Sequence, residues 1–243
     1  MNKITTFATA AIAALFATTS CSDTPEVPTP GEGALLLTTG ISSELTSRAN
    51  ISDELAAKAL IWISNSDGPV RKYSGLSSVP TDGIKLLAGN YVAEAWTGDS
   101  VSASFDKKYY KATQEFTITK GRTTDVDLKC TIANVAVAVD FAAEINQLLT
   151  DYTVTVEHSR GSLTFVGKDT RIGFFMMPST DTDLTWTLNG TRSNGSQFTT
   201  DGKIANAQPA TLYTLRFSNS SPARSAAKAT HIQCSTSATP ILN

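Results

Sequence analysis

Along most of its length the chain alternates apolar and polar residues with a period of two, and that pattern restricts it to β structure. Successive side chains of a strand point to opposite faces, so the alternation supplies one face for a core and one for water. Val126-Asp127-Leu128-Lys129-Cys130-Thr131-Ile132 is a plain instance, with Cys130 read as a small buried hydrophobe. Strands are predicted over 34–39, 59–64, 70–73, 84–87, 91–97, 114–119, 124–130, 134–141, 153–158, 163–166, 172–175, 184–188 and 211–217. Turn signals fall between them, among them Asn65-Ser66-Asp67-Gly68-Pro69, Asp82-Gly83, Lys120-Gly121, Asn189-Gly190, Asn194-Gly195 and Asp201-Gly202. Only 52–58 and 142–149 read as helix, each two turns at most and each a connector.

The N-terminus has another character. Lys3 is a positive n-region, Ile4 to Ala17 an uncharged run, and Thr18-Thr19-Ser20 a string of small residues, so residues 1–20 read as a secretory signal peptide. The run is too short and too rich in Thr to span a membrane. Cys21 follows it directly, a placement that resembles the lipobox of bacterial lipoproteins, although Thr18 stands where Leu is usual. The resemblance implies lipidation of Cys21, a diacylglyceryl thioether plus an N-acyl group, and so a membrane partner held through that anchor; one acyl chain alone binds only marginally. The alternative is an ordinary signal peptide with Cys21 a free thiol. Residues 21–33 carry three prolines and three acidic residues and read as an extended tether. Acid soon after the cysteine resembles the export signal of surface lipoproteins in some Gram-negative bacteria, which implies an outer-membrane location facing the cell exterior.

Without the signal peptide the chain has 19 basic and 22 acidic residues, a balance that offers no attraction to nucleic acid. The strand pattern divides near residues 131–134, giving an N-terminal β-sandwich over 34–131 and a C-terminal one over 132–217, closely packed through a short apolar join. Residues 218–243 turn to Ser, Ala, Thr and Lys and are expected to form a tail of low order, with 231–234 a weakly supported late strand. A disulfide between Cys130 and Cys234 is less expected than two free thiols.

Catalytic chemistry is sparse. The chain has two histidines, His158 and His231, no Gly-rich phosphate loop after a strand, and no Cys/His pair at metal-ligand spacing. The expectation is a non-enzymatic protein with no cofactor and no metal site. Trp62, Trp96 and Trp186 fall within predicted strands and have two readings, a platform for sugar rings or ordinary core packing, with core packing favoured. Tyr109-Tyr110, flanked by Lys107, Lys108 and Lys111, must put one ring on each face of its strand, and so offers a contact surface.

Several segments follow one another in a fixed order and spacing: Gly33-Ala34-Leu35-Leu36-Leu37, Arg48-Ala49, Leu87-Ala88-Gly89-Asn90-Tyr91-Val92-Ala93, Phe105-Asp106 with Tyr109-Tyr110, Glu115-Phe116-Thr117-Ile118, and Cys130 with Asn134-Val135. Together they resemble a group of secreted lipoproteins of gut-type Gram-negative bacteria, catalogued as a domain of unknown function and similar in layout to fimbrillins. The resemblance implies an all-β fold of two tandem Greek-key or transthyretin-like sandwiches. It also implies a maturation step, cleavage between Arg48 and Ala49 beyond the first strand, which would release lipid and strand together and open a groove for a neighbouring subunit's strand; the residues themselves leave a second reading, an ordinary solvated loop arginine, which is favoured. The implied partners are other fimbrial subunits, with surface glycans or host proteins as adhesive targets. One departure is that 218–243 has only Ile232, Ile241 and Leu242 as large apolar residues, too few for a usual donor strand and consistent with a terminal or accessory subunit. The alternative function is capture of polysaccharide by the tryptophans.

Overall fold

The alternation translates into strands almost segment by segment. In the computed structural model the described residues are 31–41, 53–178, 180–219 and 232–241. Their first eight strands are β1 (Glu32–Ile41), β2 (Leu60–Asn65), β3 (Gly68–Ser74), β4 (Ile84–Leu87), β5 (Gly89–Gly98), β6 (Ala103–Ser104), β7 (Tyr109–Ile118) and β8 (Thr123–Ile132). Then come β9 (Val135–Phe141), β10 (Leu149–His158), β11 (Gly161–Val166), β12 (Gly173–Phe175), β13 (Leu184–Arg192), β14 (Gln197–Ile204), β15 (Thr211–Asn219) and β16 (Ile232–Pro240). Helix α1 (Asp53–Lys58) precedes β2, and α2 (Ile145–Leu148) precedes β10. The fold is all-β, and none of the described helices is long and apolar enough to cross a membrane.

Two hydrophobic cores are enclosed. The first lies within a seven-stranded sheet of order β3-β2-β5-β7-β8-β1-β4. Its halves, β3-β2-β5-β7 and β8-β1-β4, are joined only where Tyr110 and Lys111 pair with Ile132 and Thr131. Ile61, Ile63, Ala93 and Ala95 of one half and Leu35, Leu37, Val126 and Leu128 of the other share one cluster, so the sheet is creased between β7 and β8 and closes on itself. The second core lies between β11-β10-β13-β14 and a five-stranded sheet of order β16-β15-β9-β12-β6. On β9, Val135 and Val137 face this second core while Ala136 faces the first; on β12, Phe175 and Phe174 divide in the same way. One strand pair therefore belongs to both cores.

With β6 set aside, the strands before residue 133 and those of 135–219 follow one plan. In each set the first strand lies between the fourth, antiparallel, and the seventh, parallel: β1 between β4 and β8, and β9 between β12 and β15. The second, third, fifth and sixth form the facing layer, β3-β2-β5-β7 in one set and β11-β10-β13-β14 in the other. β6 departs from the plan: it belongs to the β5–β7 connection yet pairs with β12 of the other set, Phe174↔Ser104 and Phe175↔Ala103. Around it Arg171 lies 3.8 Å over the Phe105 ring while forking onto Asp169, and Phe105 meets Phe165 edge to face at 5.1 Å.

Three differences from the sequence reading have physical causes. Asn189-Gly190 and Asp201-Gly202 are not turns but lie inside β13 and β14. A Cβ at Gly202 would sit 2.4 Å from the Trp186 ring, so this glycine admits a large neighbour instead of bending the chain. The expected tail of low order instead contributes β16, which pairs with β15 in continuous register from Asn219↔Ile232 to Thr211↔Pro240. Its side chains are mostly exposed and Ile232 alone is buried within the strand, so backbone hydrogen bonds hold it, and those carry no signature in side-chain composition.

Candidate functional site

Two places in the molecule have features that chain folding alone does not require. The first is the seat of β1. Leu35 and Leu37 are buried, and backbone bonds run along both sides of the strand, to β4 over Glu32–Leu35 and to β8 over Ala34–Ile41. Burying a leucine side chain contributes about 1.5–3 kcal/mol. Ala34 N–H donates to Arg122 O at 2.9 Å, and Gly121 N–H to Glu32 O at 2.9 Å, which ties the strand to the β7–β8 turn. Cys21, Arg48 and Ala49, the lipidation and processing residues read from the sequence, lie outside the described residues.

The second place is the outer face of β3-β2-β5-β7. Here Leu60-Ile61-Trp62-Ile63 is apolar on both faces: Ile61 and Ile63 are fully buried, while Leu60 is 36% exposed and Trp62 half-buried on the other side. Trp96 on β5 faces the same way, and its ring meets Trp62 edge to face, centroids 5.0 Å apart at 71°. Lys72, opposite Trp62 on β3, places its ammonium 4.2 Å from the centre of that indole. Beside Trp96 lies a cleft of about 490 Å³ whose walls include Leu60, Trp96 and Tyr109 and whose rim includes Glu54, Lys58 and Asp99.

Helix α1 forms the rim because it is anchored from below. Thr97, buried at 2% exposure, donates its hydroxyl to Leu55 O at 2.7 Å. On the helix surface Lys58 and Glu54 pair at 2.6 Å with four-residue spacing, and the lysine's hydrogen bond holds the Glu54 carboxyl below its ordinary range. Lys111 pairs with Glu94 at 2.9 Å, and Lys107 approaches Asp99 at 3.7 Å.

Tyr109 and Tyr110 separate to opposite faces. Tyr110 is 4% exposed and belongs to the first core; Tyr109 is half-buried on the outer face, where desolvation raises its phenol pKa. The Tyr109 N–H donates to Asn134 Oδ1 at 2.7 Å, fixing the start of β7. Of the three tryptophans, Trp186 must be removed from any platform: it is 7% exposed in the second core, packed edge to face on Phe217 at 5.3 Å. β13 places Leu184, Trp186 and Leu188 on its inner face, so alternation itself sends this indole inward. Trp62 is occupied on its sides by Lys72 and Trp96, which leaves Trp96 as the indole that opens on the cleft.

The sequence reading missed Leu60, Glu54, Lys58 and Asp99. Its available signal was the unbroken apolar run 60–63, since four consecutive apolar residues in a strand make both of its faces apolar.

His158 lies at a turn, where its Nδ1 accepts the Arg160 N–H at 3.0 Å; burial lowers its pKa. It borders a cleft of about 420 Å³ with Asp181 and Asp183, but the Asp183 carboxylate is already taken by Asn206 N–H and the Lys203 ammonium, each at 2.9 Å. Among the described residues no three His, Cys, Asp or Glu side chains converge as metal ligands. Cys130 and Cys234 are free thiols, each pushed up to about 11 by desolvation.

Comparison with known proteins supplies a family. No curated protein sequence matches the chain. Among solved structures, a Bacteroides eggerthii protein named for cell adhesion aligns over 87% of this chain and 96% of its own, at 10% identity and a TM-score of 0.48. A Bacteroides ovatus protein of the same naming aligns over 86% and 98%, at 9% identity and a TM-score of 0.46. A Bacteroides thetaiotaomicron protein named for polysaccharide binding aligns over 77% and 91%, at 10% identity and a TM-score of 0.42. A family model described as DUF4493, a domain of unknown function, matches residues 31–239, nearly the whole described chain, and the protein belongs to that family.

Proposed function

We propose that this chain is a non-enzymatic, lipid-anchored component of the outer cell surface with a structural or adhesive role, and that cleavage between Arg48 and Ala49 converts it from an anchored monomer into an assembling subunit. The observation that carries this reading is the position of β1. It is an interior strand, paired on both sides, yet it is the first described strand and the Arg48 segment follows it directly. Loss of β1 would leave a slot between β8 and β4 lined by two rows of unpaired backbone groups over an apolar floor. An extended strand from another subunit satisfies such a slot by main-chain hydrogen bonds and gains affinity from the apolar floor.

The C-terminal strand β16 is a poor donor for that slot, because its outward and inward rows are largely Ser, Thr and Ala. That favours a terminal or accessory subunit, one that accepts a strand without passing one on. Cys21 is then a delivery device, shed with β1, and surface glycans or host proteins are the adhesive targets.

N-terminal sequencing of protein recovered from the cell surface tests the proposal. The expected outcome is a mature chain beginning at Ala49 within multimers that resist mild detergent. A blocked, acylated Cys21 with no shorter species would exclude strand exchange as the normal fate and leave a permanently tethered protein.

A further inference from the structure

We propose that the cleft between α1 and the outer face of β2, β5 and β7 is a binding site for an uncharged oligosaccharide, stacked on Trp96 with Tyr109 as the second aromatic wall. The site goes beyond the assembly proposed above and does not depend on it, since cleavage after Arg48 would leave α1, β2, β5 and β7 in place.

Four observations converge on this ligand chemistry. First, three apolar or aromatic side chains gather at one end of the outer face: Leu60, Trp96 and Tyr109 line the cleft, whereas Lys111, Thr113 and Glu115 continue β7 beyond it. A pyranose ring presents C–H faces to an aromatic ring and hydroxyls at its edge, which matches apolar walls with a polar rim. The volume of about 490 Å³ falls within the range of sites for small organic ligands, about 300–1,000 Å³.

Second, Trp96 is held before any ligand arrives. Trp62 meets it edge to face at 5.0 Å, and the Lys72 ammonium 4.2 Å from the Trp62 ring braces that partner in turn. An aromatic platform fixed in advance loses little side-chain freedom on binding. Third, one position of the cleft lining carries no side chain. Gly98 stands opposite Tyr109 in the β5–β7 register with φ of +89°, and a Cβ there would meet Lys108 O at 2.1 Å. Position 98 is therefore kept as glycine by the close approach of the Lys108 backbone and adds no side chain beside the tyrosine.

Fourth, the charges around the cleft are matched. Glu54 pairs with Lys58 at 2.6 Å, Glu94 with Lys111 at 2.9 Å, and Asp99 faces Lys107 at 3.7 Å. A charged ligand would meet side chains that already have partners of opposite sign, so these pairs offer it no unpaired charge. A neutral polyol can accept from the lysines and donate to the carboxylates without separating them.

The test uses the chain from Ser22 to the C-terminus and a panel of soluble oligosaccharides: neutral gluco-, manno- and xylo-oligomers, with oligogalacturonate as the anionic member. Binding is read by tryptophan fluorescence and by calorimetry. The expected result is saturable binding of at least one neutral oligomer, weakened at least tenfold by Trp96→Ala and several-fold by Tyr109→Ala. Ser100→Arg, an exposed loop substitution at the mouth of the cleft, should also weaken binding tenfold while leaving near-ultraviolet circular dichroism and the melting temperature unchanged. Four outcomes would overturn the proposal: no neutral oligomer binds, oligogalacturonate alone binds, binding survives Trp96→Ala in a folded protein, or Ser100→Arg leaves binding intact. None of these results bears on where the mature chain begins, so failure here and failure of the cleavage proposal are separate.

Discussion

The two strand sets that repeat one plan use their tryptophans in opposite ways. On β2 and β5 the outward row carries Leu60, Trp62 and Trp96; on the equivalent β10 and β13 it carries Thr153, Thr155 and Glu157, and Thr185, Thr187 and Asn189. That row is polar and bonds to the neighbouring strands, Thr155 with Thr164 at 3.2 Å and Thr199 onto Asn189 Oδ1 at 2.9 Å. The single tryptophan of the second set, Trp186, points inward and fills a core. Topology is thus shared, while which pleat position holds the indole decides whether it stabilises the fold or faces a ligand. A shift of one residue along a strand is enough to exchange the two roles.

The contrast can be broken most forcefully by truncating both indoles. Trp186→Ala should lower the unfolding free energy by about 3–5 kcal/mol, because it empties a packed interior beneath Phe217. Trp96→Ala should cost about 1 kcal/mol or less, the worth of its ring contact with Trp62. Urea denaturation of the two variants checks the pair, and equal losses would mean that the first set's outer face is as structural as the second set's core.

A smaller effect is expected at the glycine that serves Trp186. Gly202→Ala places a methyl group 2.4 Å from the ring and should cost about 1–3 kcal/mol through overpacking, unless the indole moves. Combining it with Trp186→Phe, whose smaller ring leaves room, should recover part of the loss, and a thermal melt of the double variant reads this directly. Full additivity of the two losses would place the methyl group's cost elsewhere than at the ring.

The gentlest probe compares the two free thiols. Cys130 is fully buried in β8, and Cys234 is half-buried in the edge strand β16. Both are held at about 11, so both are almost wholly protonated at neutral pH and reaction awaits opening of the structure. An edge strand held mainly by its backbone ladder opens locally more often than an interior one. With Cys21 replaced by Ser, Cys234 should alkylate at least tenfold faster than Cys130 in native buffer. Equal rates, read by mass spectrometry of the two peptides, would show that β16 opens only when the first core does.

Much of the fold could be read from the chain because strand alternation is a local property. The boundaries of β4 and the inward sets of β5, β8 and β10 follow from their own sequences, and so does the opposition of Tyr109 and Tyr110. β14 was hidden because Gln197 to Ile204 contains a turn-like Asp201-Gly202, and β16 because its residues are small and hydroxylated. Of the candidate cleft, Trp96 and Tyr109 were visible as residue types in strands. Glu54, Lys58 and Asp99 were not, since their relevance comes from the docking of α1 through Thr97 and Leu55, forty-two positions apart in sequence.

The sequence by itself determined that this protein would be built from many short amphipathic strands and which of their residues share a face. Tertiary structure alone decided which strands lie beside one another, that β1 and β9 each sit between an antiparallel and a parallel neighbour, and that Trp62 and Trp96 converge where Trp186 is enclosed. The reason is that alternation fixes a side chain relative to its own backbone, whereas a partner strand is chosen by the closure of the whole core, a sum over contacts distant in sequence that no single segment encodes.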